Sequence, residues 1–109
     1  MKGFVYILTS KNNTVLYTGV TSNIKERIVQ HRTNKYKSSF TARYTIHKLV
    51  YFEECDTIGD AIKREKQLKG GSRKKKIQLI NSLNPGWVDL FDFLEDLGRL
   101  LLPPSAGSQ

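Results

Sequence analysis

Two extended runs joined by one polar turn open the chain, and they constrain its fold more than any other feature. Phe4 to Thr9 places bulky residues on both faces, Ser10-Lys11-Asn12-Asn13 is a turn cluster, and Val15 to Gly19 resumes the extended pattern. That combination is a β-hairpin signal. A third run, Tyr44 to Glu54, holds Ile46, Leu49, Val50, Tyr51 and Phe52 and reads as a largely buried strand.

Helical patterns fill the intervals. Asn23 with Glu26 three residues on is close to a capping box, and Ile24 and Ile28 begin an apolar face, which predicts a helix from Asn23 to Arg32. A second helix is expected from Thr57 to Lys69, stopped by Gly70-Gly71, and a third from Ser72 to just before Asn84-Pro85. Thr33 to Arg43 is polar and basic and reads as a surface loop. With 109 residues, 39% of them hydrophobic, the chain can bury one core. The expected organisation is a single domain over residues 1–90, an apolar arm over 91–102 packing on it, and a disordered tail over 103–109.

Charge narrows the partner. Residues 1–88 hold 17 Lys or Arg against 6 acids, or +11, whereas residues 89–109 hold one Arg against 4 acids, or −3. An excess on that scale points to a polyanion, nucleic acid or an anionic membrane, with ordinary solubility charge as the plain alternative. The absence of a long apolar run and of a signal-peptide core after Met1-Lys2-Gly3-Phe4 argues against a membrane. Cys55 is the single cysteine, so no internal disulfide or thiolate metal cage can form, which fits a reducing cytoplasm.

Helical spacing brings three ionisable groups onto inward faces. At about 100° per residue, Arg27 and His31 share the stripe of Ile24 and Ile28. On the second helix Ile58, Ala61, Ile62 and Leu68 define the apolar stripe, with Glu65 near its middle. A carboxylate there costs several kcal/mol, on the order of 2–5, unless a cation compensates. A salt bridge to a neighbouring base is the plain alternative for Glu65, a solvated charge for Arg27 and a boundary histidine for His31. Tyrosine is a good strand residue, so Tyr6 and Tyr17 carry little weight alone. The eight bases between Lys63 and Lys76 could equally be a solvated helix face.

Taken in order, the residues resemble the GIY-YIG nuclease superfamily, specifically its small single-domain bacterial branch. The match runs through Val5-Tyr6-Ile7, Tyr17-Thr18-Gly19, Arg27, His31, Glu65 within Ala61 to Lys69, and Asn84 to Leu90. The resemblance implies an α+β fold, a small three-stranded antiparallel sheet flanked by helices. It implies hydrolysis of phosphodiester bonds in DNA with one divalent metal, Mg²⁺ or Mn²⁺, on Glu65. By the same analogy Arg27 contacts the scissile phosphate, Tyr6 or Tyr17 activates water, and Asn84 stands near the site.

His31, with a reference pKa of about 6.5, is a candidate proton shuttle or hydrogen-bond partner. Lys63, Lys66, Lys69, Arg73, Lys74, Lys75 and Lys76 are the candidate nucleic-acid contacts. The chain departs from the family pattern at Val5, Thr18, Val20, His31 and Gly71. The alternative from another class is a basic nucleic-acid-binding module, or a partner-binding domain, that keeps the fold without the chemistry. An inward acid favours the enzyme, because a bare binding surface has no use for one.

Overall fold

A computed structural model describes residues 1–32 and 46–94. Three strands, β1 (Gly3–Ser10), β2 (Leu16–Thr21) and β3 (Ile46–Cys55), form one antiparallel sheet in the order β2-β1-β3. The helices are α1 (Ile24–Arg32), α2 (Ile58–Gly70) and α3 (Arg73–Leu83). The expected α+β sheet flanked by helices is what the chain forms. The expected loop over Thr33 to Arg43, the start of the third strand at Tyr44 and the tail over 103–109 lie outside the described residues.

Local chemistry sets the element ends. Ser10 Oγ receives the backbone N–H groups of Thr14 and Val15, each at 3.2 Å, and Asn13 turns the chain with φ 61°, which asparagine tolerates better than most residues. Asn23 Oδ1 caps α1 by accepting from the Glu26 N–H at 3.1 Å, while Thr57 and Ser72 do the same for α2 and α3 at 3.0 and 3.1 Å. All three capping residues precede the first helical residue, so each helix begins one residue later than the sequence pattern alone suggests.

The sheet buries both faces. Tyr6 and Leu8 of β1 point toward Ile24 and Ile28 of α1, Leu49 of β3 and Leu94. Val5 and Ile7 point the other way, Val5 to Ala61 and Leu68 of α2 and Ile7 to Ile80 of α3. A register shift between Ile7 and Leu8 leaves Val50 without a residue opposite it, and both Val50 and Tyr51 then face α3.

The α2 stripe needs one correction. Its inward line runs through Ala61, Glu65 and Leu68, so Ile62, one residue and about 100° beyond Ala61, turns outward and is 40% exposed. In the expected C-terminal arm, residues 91–94 form a turn of helix; Leu94 is buried and Phe91 partly so, but Phe93 is exposed. Asp89 ties this segment to β3. Its Oδ1 accepts the Leu49 N–H at 3.2 Å, and the Leu90 N–H donates to the Leu49 carbonyl at 2.7 Å.

Candidate active site

A tyrosine, its cross-strand glycine and a second tyrosine fix the floor of the site. Tyr6 of β1 lies opposite Gly19 of β2. A methyl group at Gly19 would fall 2.4 Å from both Cζ and Oη of Tyr6, so the ring can lie flat across the neighbouring strand only because that residue has no side chain. Tyr17, two residues earlier on the same face, places its ring centroid 6.4 Å from that of Tyr6. The glycine of the second triplet therefore has a packing reason that its place in the sequence does not disclose.

Helix α1 adds His31 and Arg27. Ile24 and Ile28 anchor the helix in the core, which holds the His31 end of the same face over the two rings. His31 Nε2 is 3.2 Å from the Tyr6 hydroxyl, and its ring centroid is 6.0 Å from Tyr6 and 5.5 Å from Tyr17. Arg27 is half-buried beside a polar hollow of about 130 Å³ that it shares with Thr21, Ser22 and Glu26.

Burial moves the two titrating groups apart. It pushes the Tyr6 phenol well above its ordinary range, with Tyr17 and Glu65 adding to the rise and the Arg27 guanidinium opposing it. Arg27 alone therefore does not make a phenolate of Tyr6. Burial also lowers the His31 imidazole below 6.5, and the positive Arg27 lowers it further. At neutral pH both groups are uncharged. In the tautomer that carries its proton on Nδ1, the imidazole accepts the phenol's hydrogen.

Glu65 comes from α2 on the inward line described above. Its side chain is 15% exposed, and its Oε2 is 3.1 Å from Lys69 Nζ, one helical turn on. No group of three or more His, Cys, Asp or Glu stands together among the described residues, so a metal would rest on one carboxylate with water and phosphate completing its shell. That is how Mg²⁺ is commonly held. A carboxylate largely out of water and already matched by a cation fits the demand.

The remaining predicted residues fall elsewhere. Asn84 is not brought to this cluster: it is 4% exposed, and its amide donates to the carbonyls of Val50 at 3.1 Å and Val88 at 2.8 Å while accepting the Val88 N–H at 3.1 Å. Arg73 gives an N–H to the Thr14 carbonyl at 2.8 Å and ties α3 to the hairpin turn. Lys63, Lys66, Lys69, Lys74 and Lys75 are exposed on α2 and α3, with Lys76 half-buried. The sequence reading missed Arg64, which is held by Glu53 through contacts of 3.0 and 3.2 Å, with the Tyr51 hydroxyl on the same carboxylate. The salt bridge to a neighbouring base that stood as the plain alternative for Glu65 is present, with Lys69 as the partner at the visible spacing of four.

A three-stranded sheet with two tyrosines on adjacent strands, and an arginine and a glutamate on helices that flank it, defines a GIY-YIG-type catalytic domain. The family model described as the GIY-YIG catalytic domain matches residues 2–78, and the chain belongs to that family. Its relatives are small proteins of the UPF0213 group. One from Syntrophus aciditrophicus is 43% identical over 84 residues, covering 77% of this chain and 94% of its own, and one from Staphylococcus saprophyticus is 39% identical over 80 residues, covering 73% and 95%. The solution NMR structure of a UPF0213 protein from Bacillus halodurans superposes with a TM-score of 0.52 at 29% identity, covering 82% of this chain and 93% of that one. Among the described residues no helix is long and apolar enough to cross a membrane.

Proposed function

We propose that this protein is a metal-dependent endonuclease that hydrolyses phosphodiester bonds in DNA, acting in the cytoplasm with Mg²⁺ or Mn²⁺. The observation that carries the reading is the meeting of Tyr6, Tyr17, His31 and Arg27 on one face of the hairpin, with Glu65 held largely out of water on α2 and its charge among the influences that raise the Tyr6 phenol. A binding module would need the bases but not this acid. The net charge of +8 supplies the attraction for the phosphate backbone.

The chemistry follows from the proton positions. Water attacks phosphorus in line with the leaving 3′ or 5′ oxygen and must lose a proton as it does so; the P–O bond to the leaving oxygen breaks, and that oxygen departs as a hydroxyl after taking a proton from solvent. A buried neutral phenol is a poor base by itself, but Tyr6 can accept that proton as it passes its own to His31 Nε2, 3.2 Å away. Tyr17, less buried and beside both rings, would orient the water. Arg27 would meet the charge that builds on the phosphoryl oxygens. A divalent cation on Glu65, when bound, would supply the remaining charge neutralisation and polarise the phosphoryl group.

The test is a cleavage panel of labelled duplex, nicked, branched and single-stranded DNA, with RNA alongside, in Mg²⁺ or Mn²⁺. Wild type should cut at least one substrate, Glu65→Gln should cut none, and Tyr6→Phe should lose more activity than Tyr17→Phe. Cleavage by Glu65→Gln at the wild-type rate would remove the metal site from the reading.

A further inference from the structure

Lys69 belongs to two places at once. Its ammonium sits 3.1 Å from Glu65 Oε2, yet 54% of the side chain is exposed, and it also lines a hollow of about 280 Å³ with Leu16, Tyr17, Thr18 and Lys76. Among the described residues the wall of that hollow carries two ammonium groups and no carboxylate, and Leu16 with the ring of Tyr17 gives it an apolar side. A second hollow of about 220 Å³ between α2 and α3 shares Lys76 and adds Lys75; its Arg64 is already held by Glu53. A line of positive groups thus leads from the α2–α3 seam to the edge of the tyrosine pair.

Building on the nuclease reading, we propose that the hollow beside Tyr17 takes the phosphate next to the one that is cut, on the same DNA strand. Lys69 is shared between that phosphate and Glu65. Without metal the ammonium offsets the partly buried carboxylate. Once a divalent cation takes Glu65, the two positive charges repel each other, and the flexible four-carbon stem lets the ammonium turn to the strand. Metal and DNA then strengthen each other's binding, and the gain is reciprocal.

The test uses the full chain and Mn²⁺, with affinity read by calorimetry for wild type, Lys69→Gln, Lys76→Gln and Glu65→Gln. Lys69→Gln should bind Mn²⁺ tighter, roughly threefold, since a competing cation worth about as much as a surface ion pair has been removed. Lys76→Gln should leave Mn²⁺ affinity unchanged, and Glu65→Gln should abolish binding. Phosphorothioate DNA, which resists cutting, gives the second reading: Lys69→Gln should match wild type without metal and bind several-fold more weakly with Mn²⁺. Unchanged or weaker Mn²⁺ binding by Lys69→Gln, or an equal DNA deficit with and without Mn²⁺, would overturn the sharing while leaving the nuclease reading intact. Equal Mn²⁺ affinity in wild type and Glu65→Gln would overturn that reading and the inference with it.

Discussion

The Tyr6 hydroxyl lies 3.2 Å from His31 Nε2, and their surroundings shift the two groups in opposite directions, the phenol up and the imidazole down. At neutral pH the pair therefore rests as two uncharged groups sharing one hydrogen bond, and His31 is the member that can take up a proton. Cleavage should fall as pH drops below about 6.5 and through the folded value of His31, because a protonated imidazole accepts nothing. Stability follows the same sign. A depressed histidine favours the fold above its unfolded pKa of about 6.5, and that contribution is lost as pH falls through the folded value. His31→Gln should slow the reaction and remove this acidic limb from both profiles; an unaltered limb would place the titration elsewhere.

Gly19→Ala should damage the site and the fold together. The added methyl meets Tyr6 Cζ and Oη at 2.4 Å, with the β1–β2 register fixing both backbones. Overpacking of this kind costs roughly 1–3 kcal/mol. Assayed at a temperature where the variant remains folded, cleavage should still fall at least tenfold, because the ring must leave its place under His31. Full activity in folded Gly19→Ala would show that the hydroxyl position is not critical.

Asn84→Ala should reduce stability and leave chemistry alone. Three hydrogen bonds to buried or half-buried backbone are lost, among them the one to the Val50 carbonyl. A cost of about 2 kcal/mol is expected. At roughly 4–8 °C per kcal/mol for a domain of this size, Tm should drop by about 10 °C. A rate loss at constant Tm would instead put Asn84 in the reaction.

Arg27→Lys keeps a charge but loses the planar fork that, on the proposed reading, would hold two phosphoryl oxygens. DNA binding should change little, since the bases of α2 and α3 remain, while the cleavage rate should drop by roughly 10²-fold, as for loss of one positioned donor. Comparable rates in the two proteins would make Arg27 only a solvated charge.

The parts of the fold that local chemistry controls could be read directly. The Ser10 to Asn13 turn, the Thr57 and Ser72 caps and the Gly70-Gly71 stop are all events within four residues of chain. Arg27 and His31 were legible for a similar reason, since helical spacing alone puts them on the stripe of Ile24 and Ile28. What depends on register was not. The contact between Tyr6 and Gly19 exists only once two strands are aligned, and the unpaired Val50 that Asn84 serves appears only when β1 and β3 are. Ile62 was assigned to the wrong side because the inward line of α2 is set by what the sheet offers it, and the sheet accepts Ala61 and Leu68 with an acid between them.

The order β2-β1-β3 leaves β2 at the margin of the sheet, and among the described residues no strand pairs with its outer side. Tyr17 stands on that strand, so among the described residues the tyrosine pair is approached from the flank of the sheet, where Tyr17 lines the hollow beside Lys69. A polymer laid against the flank needs no free end to reach the chemistry, and its own topology is immaterial to access. A covalently closed circle should accordingly be opened as readily as a linear fragment of the same sequence is cut, and relaxation of a supercoiled plasmid to the nicked form would report the first event.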